Sequence, residues 1–349
     1  MELLTTQLKR KKQKIQEESQ NGMNGSNGTN GVNGTNGADG TNGTNGTNGN
    51  SNFNRRVWPD KANQVPSYPP IPFKQWTLFP WPRWREDAQS YFDELKDFKS
   101  REDDVFLVTV QKSGTHWAHE ITNMLIDQTT AYNSRNLALD DIHVDTMTDL
   151  SILEDETRRR ILHTHLPFQF LPSAHLKKKA KVIIVNRNPK DRHVSQYNFF
   201  KKMVGTPENY SWEQYWNEMV LKDQFMTGWF NWTREMVAAV EKNPDHVTMV
   251  FFEDLKLTPE KEIAKLAKFL EVPYNDEFVR EIADKCSFNK LKNHKLDGTA
   301  EYAKNFESTL FRKGQIGDWK TMFTVAQNEQ FDEIYKKEMK GVNLSWTFE

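Results

Sequence analysis

The feature that most constrains the fold is a run of apolar or β-branched residues, Val105 to Val110, followed closely by Lys112-Ser113-Gly114-Thr115. Such a run predicts a buried strand, and the residues from Trp117 to Asp127 predict a helix. A strand, a tight loop of small residues and a helix N-terminus form an anion cradle, because free backbone N–H groups and the helix dipole face one point. The lysine adds a positive charge and the two hydroxyls add donors. The segment therefore predicts a phosphate-binding loop.

This loop departs from the pattern that binds nucleoside triphosphates. In that pattern a glycine stands five residues before a Gly-Lys pair, whereas here Lys112 precedes Gly114, the only glycine of the loop. From these residues alone, phosphate binding and a plain strand-to-helix turn stay equally open.

Strand and helix patterns alternate along the chain, which predicts an α/β fold with a parallel sheet flanked by helices on both faces and a P-loop-like nucleotide-binding core in a single domain. The strand patterns lie at 105–110, 160–163, 182–186 and 247–252. The helix patterns lie at 88–98, 116–127, 190–202, 211–220, 227–241, 258–270, 275–284 and 327–340. Ligands of such sheets bind at the carboxyl ends of the strands.

Composition divides the chain at about residue 57. Residues 21–50 are nearly all Asn, Gly and Thr, so we expect residues 1–57 to be a disordered tail and residues 58–349 to form the folded domain. A net charge of −1 argues against nucleic-acid binding, and no apolar run is long enough to span a membrane. The single cysteine, Cys286, and the lack of a signal-peptide pattern favour the cytoplasm.

Residues 58–84 are rich in proline and aromatic residues. The prolines argue against a regular helix or a central strand, so this segment should wrap over the domain with its rings tucked inward. Core packing and one wall of an apolar pocket both remain open for these rings.

Polar residues also follow the later strands. His165 is a candidate for a general base. His163 and His165 are also a pair of potential metal ligands, but the sequence offers no clear third ligand nearby. We therefore predict no metal site. Arg187 suits phosphate binding or an ion pair with Asp191, and the basic loop Arg312-Lys313-Gly314 suits an anion or a plain turn.

Four segments in this order resemble motifs of the cytosolic sulfotransferase family, and the resemblance spans about residues 100–345. The segments are KSGTHW, HTHLP, VNRNPKDRHVS and FRKGQIGDWKTMFTVAQNEQFD. Members of this family pass the sulfuryl group of 3′-phosphoadenosine 5′-phosphosulfate to a hydroxyl or amine of a small, often apolar acceptor. The resemblance therefore implies a sulfotransferase acting on a small apolar alcohol, phenol or amine, with no metal cofactor.

The resemblance also implies roles for individual residues. His165 would accept the proton of the acceptor, and Lys112 would neutralise the leaving phosphate. The donor would be held by Lys112, Ser113, Gly114, Thr115, His116, Trp117, Arg187, Ser195, Phe252, Cys286, Phe288, Arg312, Lys313 and Gly314, with Trp117 and Phe288 on the two faces of the adenine. Residues 320–329 match the family's dimerisation segment, so we expect a homodimer.

Four positions depart from the family pattern. His163 stands where Lys is usual, His116 replaces a Thr of the phosphate loop, Phe252 replaces a frequent Tyr, and Cys286 replaces a Thr. These departures keep open a second hypothesis, a non-catalytic protein that binds a nucleotide or an apolar ligand. A kinase of small molecules would need Mg²⁺, and the sequence shows no convincing carboxylate to hold it beside the loop.

Overall fold

The computed structural model describes residues 70–132, 143–147, 149–155, 157–294 and 311–349. The predicted tail, residues 1–57, lies outside the described residues, as does the start of the predicted domain at residue 58. The described part contains no helix with the length and apolar character needed to cross a membrane.

A four-stranded parallel sheet forms the centre of the domain. Its strands are β3 (Val105–Thr109), β4 (Ile161–Thr164), β5 (Lys181–Asn186) and β6 (Val247–Phe251), in the spatial order β4-β3-β5-β6. A separate antiparallel pair, β1 (Ile71–Phe73) and β2 (Trp76–Leu78), precedes it. Every residue of the central strand β3 and of the edge strand β4 is buried, because helices and loops cover both faces of the parallel sheet.

The α-helices of the described part surround this sheet. Their bounds are α1 (Pro82–Asp97), α2 (Thr115–Asp127), α3 (Ser173–Lys177), α4 (Pro189–Lys202), α5 (Trp212–Tyr215), α6 (Trp229–Lys242), α7 (Phe252–Leu257), α8 (Pro259–Leu270), α9 (Asp276–Lys285), α10 (Phe288–His294) and α11 (Val325–Glu338). Short 3₁₀ helices lie at Val144–Thr146, Leu150–Asp155, Phe168–Phe170 and Asp318–Thr321.

Two apolar cores cover the two faces of the sheet. Phe106 and Val108 of β3 face one core, to which α1, α4, α6 and α11 contribute, whereas Val105 and Leu107 face the other, to which α2, α8 and α9 contribute. This alternation follows from the two-residue period of a strand. The predicted α/β fold with helices on both faces of a parallel sheet is thus confirmed.

The proline-rich segment is more regular than we predicted. Pro82 begins α1 at a first-turn position, where proline costs nothing because its missing N–H has no helical partner. The helix is kinked at Asp87, whose backbone is non-helical, so the regular pattern at 88–98 captured only the second part. The predicted helix at 211–220 is likewise two elements, α5 and a π turn at Trp216–Val220.

Candidate active site

The predicted phosphate loop lies at the carboxyl end of β3 and leads into α2. Lys112 adopts a left-handed backbone (φ +69°), which is uncommon for a residue with a side chain and is typical of functional turns. Gly114 precedes the first helical residue with φ +98°, and a Cβ there would lie 2.9 Å from a ring carbon of Phe252. Glycine is therefore required on two counts, the backbone angle and the close approach of the ring.

The loop presents donors to an anion. The first N–H groups of α2 have no partner within the helix, and the helix dipole adds positive potential at this end. Ser113 is fully buried, and in the described part of the chain its Oγ has no hydrogen-bond partner. A buried hydroxyl without a partner is costly unless a ligand satisfies it, so the loop fits a phosphate.

The loop opens onto a cleft that gathers residues from widely separated parts of the chain. Of the sequence-predicted site residues, all except the buried Ser113 line it: Lys112, Gly114, Thr115, His116, Trp117, His165, Arg187, Ser195, Phe252, Cys286, Phe288, Arg312, Lys313 and Gly314. Trp117 packs edge-on against Phe252, with ring centroids 5.3 Å apart.

Arg187 lies at the end of β5 with its guanidinium directed toward the phosphate loop. It donates to the carbonyl oxygens of Lys112 (3.3 Å) and Gln315 (3.0 Å), and its guanidinium carbon lies 4.2 Å from the ring centroid of Phe252. The carboxylate of Asp191 is 3.8 Å away, beyond hydrogen-bond distance. Within the described residues its Nε has no hydrogen-bond partner, so the guanidinium retains capacity for an anion in the cleft.

The C-terminal basic loop lies across the cleft. Arg312 and Lys313 both donate to the carboxylate of Asp318, with the lysine at 2.5 Å. Although burial alone would raise the pKa of Asp318, these two cations bring it below its usual value. Gly314 has φ +62°, and a Cβ there would lie 2.3 Å from a ring carbon of Phe288, so this glycine lets the loop close over the ring.

His165 follows β4 and is held by its neighbours in one orientation. Its Nδ1 lies 2.8 Å from the carbonyl oxygen of Thr109 and 3.1 Å from the hydroxyl of the same residue. A carbonyl only accepts, so Nδ1 carries the proton and Nε2 keeps its lone pair. Burial, followed by the nearby His143, lowers the pKa of His165 to about 4, so the ring is neutral at pH 7.

A buried carboxylate, Asp145, supports the turn that carries this histidine. It accepts from the hydroxyl of Thr164 (2.5 Å) and from the backbone N–H of His165 (2.8 Å). Burial opposes its ionisation, but contacts with His143, His165 and Thr164 outweigh burial and lower the pKa of Asp145. The carboxylate therefore remains charged and fixes the end of β4.

Two further histidines lie beside His165, and both line the cleft. His143 and His163 are joined by a parallel β-bridge, and their ring centroids are 4.3 Å apart. Burial, then the neighbouring His143, lowers the pKa of His163 well below its ordinary value. His163 is therefore neutral at the position where the resemblance leads us to expect a lysine.

Thr109, His143 and Asp145 were not predicted as site residues. Thr109 was counted only as a strand residue, and His143 and Asp145 lie outside every strand, helix and motif predicted from the sequence. A histidine and an aspartate two residues apart were the available signal. Phe79, Trp81 and Phe199 complete the wall of the cleft, so two rings of the 58–84 segment serve both the core and the cleft.

The chain matches known proteins along most of its folded length. Residues 102–343 match the family model described as a sulfotransferase domain. Sulfotransferase 1B1 of the dog, Canis lupus familiaris, is 34% identical over 279 residues, which cover 74% of this chain and 90% of the relative. The chain belongs to the sulfotransferase family. The family predicted from the four motifs is thus confirmed, and a sulfotransferase is an enzyme.

Solved structures agree with this assignment. One is the crystal structure of mouse sulfotransferase SULT7A1 complexed with PAP, whose sequence is 29% identical to that of this sulfotransferase. The two structures superpose with a TM-score of 0.62, and the match covers 73% of this chain and 91% of that chain. Retinol dehydratase in a complex with retinol and PAP is 19% identical with a TM-score of 0.65, over 82% of this chain and 94% of that chain. At that identity the second likeness supports the fold alone.

Proposed function

We propose that this sulfotransferase moves the sulfuryl group of 3′-phosphoadenosine 5′-phosphosulfate to a hydroxyl, or an amine, of a small apolar acceptor. When bound, this donor supplies the sulfuryl group and leaves as 3′-phosphoadenosine 5′-phosphate, PAP. The observation that carries the proposal is the position of Thr109 between the two halves of the site. Its hydroxyl lies 2.7 Å from that of Thr115 in the phosphate loop, and its carbonyl orients His165.

The residues at the cleft fit the donor. Lys112, buried Ser113 and the start of α2 supply a cation, a hydroxyl and N–H groups for the 5′-phosphosulfate. Arg187 and Ser195, with the loop at residues 312–314, supply donors for the 3′-phosphate. The rings of Trp117 and Phe288 line the same cleft and offer faces for the adenine.

The chemical step is an in-line displacement at sulfur. His165 accepts the acceptor's proton at Nε2 while the acceptor oxygen forms a bond to sulfur. The bond from sulfur to the bridging oxygen breaks, and its electron pair stays on the phosphate of PAP. Lys112 and the N–H groups of the loop stabilise that charge, an effect that usually dominates group transfer of this kind.

The acceptor class follows from the walls of the cleft beyond the phosphate loop. Phe79, Trp81 and Phe199 line it there, so a small apolar body would bury its surface against aromatic rings. The Nζ of Lys112 lies 4.5 Å from the ring centroid of Phe199, which joins the cationic and aromatic parts of the cleft. We therefore propose phenols, sterols and other apolar alcohols or amines as acceptors.

The test is transfer of labelled sulfate from the donor to a panel of phenols, sterols and apolar amines. We expect transfer to at least one of them and a loss of about 10²–10⁴-fold in turnover for His165→Ala. Transfer to none, despite measurable donor binding, would contradict the proposal.

A second candidate, a non-catalytic binding protein, is favoured by one observation. The neutral, buried His163 stands where the family usually has a lysine, so one positive charge beside the reacting groups is missing. Titration calorimetry with PAP separates the candidates. The enzyme should bind PAP and lose affinity in Lys112→Ala, whereas a binding protein that has lost the donor would bind PAP poorly in both forms.

We also propose a homodimer through residues 320–329. Val325 begins α11 with 76% of its surface exposed, more than any other large apolar side chain of the described part, and Thr324 caps the same helix. Sedimentation should show a dimer for the natural chain and a monomer for Val325→Glu. The cytoplasm stays our prediction for its location.

A further inference from the structure

Three histidines from two segments meet at the acceptor side of the cleft. His143, His163 and His165 each offer one ring nitrogen, and these three atoms all lie within 4.8 Å of one another. The ring centroids are 4.3 to 5.3 Å apart. His143 and His163 are buried, and all three line the cleft.

Hydrogen bonds decide which nitrogens are available. Thr109 holds Nδ1 of His165 through its carbonyl oxygen, and its hydroxyl lies 3.2 Å from Nε2 of His163. Nδ1 of His163 is buried and, in the part of the chain that the structure describes, has no hydrogen-bond partner. An unpartnered polar atom in such a place is costly, and a bound ion would satisfy it.

We propose that His143, His163 and His165 form a binding site for one divalent transition-metal ion of the Zn²⁺ class. Three imidazoles with a fourth position open to the cleft match the ligand set that such ions favour. Thr109 and Asp145 are the supporting groups, since the former orients two of the rings and the latter lies 3.5 Å from Nε2 of His143.

The arrangement needs only a small closure to hold the ion. Metal–nitrogen distances of about 2.0–2.1 Å in a tetrahedron place ligand atoms about 3.4 Å apart. The spacing of up to 4.8 Å between one nitrogen of each ring is longer than this by at most about 1.4 Å, and ring rotation both closes the gap and turns the free nitrogens toward the ion.

Occupancy of this site has a consequence that rests on the proposed function. The metal would take the lone pair at Nε2 of His165, which the transfer reaction uses to accept a proton. It would also occupy the place of the acceptor hydroxyl. The ion would thus be a reversible inhibitor of sulfuryl transfer and not a cofactor for it.

Binding is tested without reference to activity. The full-length chain, free of any affinity tag, is stripped with a chelator and titrated with Co²⁺, whose visible absorption reports four-coordinate binding, and then with competing Zn²⁺. We expect one ion per chain. His143→Gln, His163→Gln and His165→Gln should each weaken Zn²⁺ binding beyond the ~10–100-fold that follows removal of a supporting group.

The melting temperature of each variant shows whether it is folded, and two further variants serve as controls. His246→Gln changes a histidine before β6, at the opposite end of the strands, and should leave the affinity for Zn²⁺ unchanged. Cys286→Ser should also leave it within about twofold, which excludes the thiol in the same cleft as the ligand. His165 is only half-buried, so its variant keeps the test decisive if the two buried histidines prove necessary for folding.

Inhibition is measured separately. At acceptor concentrations well below its KM, the free Zn²⁺ concentration that halves transfer by the natural chain should equal the dissociation constant from the titration, and a chelator should restore the rate. Failure of Zn²⁺ or Co²⁺ to bind, or equal binding by the histidine variants, would overturn the site. Binding that leaves transfer unchanged would overturn the inhibition, and absence of transfer without metal would overturn the proposed function alone.

Discussion

The buried carboxylate of Asp145 should control turnover without contacting the donor. Asp145→Ala removes the acceptor of two hydrogen bonds, from the hydroxyl of Thr164 and the backbone N–H of His165. Hydrogen bonds to a charged group contribute about 1.5–3 kcal/mol each, and relief from burying a carboxylate offsets part of the loss. We expect the free energy of unfolding to fall by about 2–4 kcal/mol.

The effect on catalysis follows from the freed backbone. Without its anchor, the turn that carries His165 can shift, and a displacement of about 1 Å costs roughly 100-fold in rate. The affinity for PAP should stay within about threefold of the natural value, because the contacts of Asp145, with Thr164, the N–H of His165 and His143, include none of the residues assigned to the donor. Urea unfolding, steady-state turnover and calorimetry with PAP measure these three quantities.

Two matched variants sharpen the prediction. Asp145→Asn keeps one oxygen for the N–H of His165, so it should lose less of both stability and turnover. Thr164→Val deletes the donor to Asp145 and the acceptor of the Leu166 N–H but leaves the bond from the N–H of His165 to Asp145 in place, so turnover should fall less than about tenfold. A folded Asp145→Ala enzyme with natural turnover, or one that loses affinity for PAP and not turnover, would refute this reasoning.

Three further predictions address the rest of the site and the fold. Gly314→Ala should weaken PAP binding more than about tenfold in calorimetry, because the added Cβ would lie 2.3 Å from a ring carbon of Phe288. Gly341→Ala is the control: Gly341 also has a positive φ, but a Cβ there meets no atom within 4 Å, so this variant should bind PAP normally. Arg187→Ala should chiefly weaken PAP binding and His165→Ala should chiefly lower turnover; exchanged phenotypes would contradict our assignment of roles. Burial lowers the pKa of His175 from 6.5 to about 4. The unfolded chain therefore takes up a proton at this histidine near pH 6.5, whereas the folded chain does so only near pH 4. Between these two values the free energy of unfolding should fall by up to ~1.4 kcal/mol for each unit by which the pH drops. Urea unfolding from pH 4 to 7.5 should therefore show a flatter acid side for His175→Gln, and an unchanged slope would contradict the prediction.

Features encoded by neighbouring residues were predictable from the sequence. The segment from Val105 to Asp127 contains its own strand pattern, glycine turn and helix pattern, so the strand, the turn and the helix were placed within a residue or two. The four strands were found because a buried parallel strand is a short, nearly continuous apolar run. Residues after those strands then converge because the carboxyl ends of parallel strands share one edge.

Features created by packing between distant segments were not predictable. His143 and Asp145 follow no periodic pattern, and they reach the site only because a bridge pairs His143 with His163. The short helices α3, α7 and α10 contain too few residues for a helical period to appear. The kink in α1 was not predictable either, because it lies at Asp87 and neither a proline nor a glycine stands at that position.

The most direct test of the account is a crystal structure of the enzyme with PAP bound. We expect the 5′-phosphate within hydrogen-bond distance of the Lys112 ammonium and the N–H groups at the start of α2. The 3′-phosphate should contact the guanidinium of Arg187 and the hydroxyl of Ser195. A nucleotide bound outside this cleft, or with its two phosphates exchanged, would contradict the account.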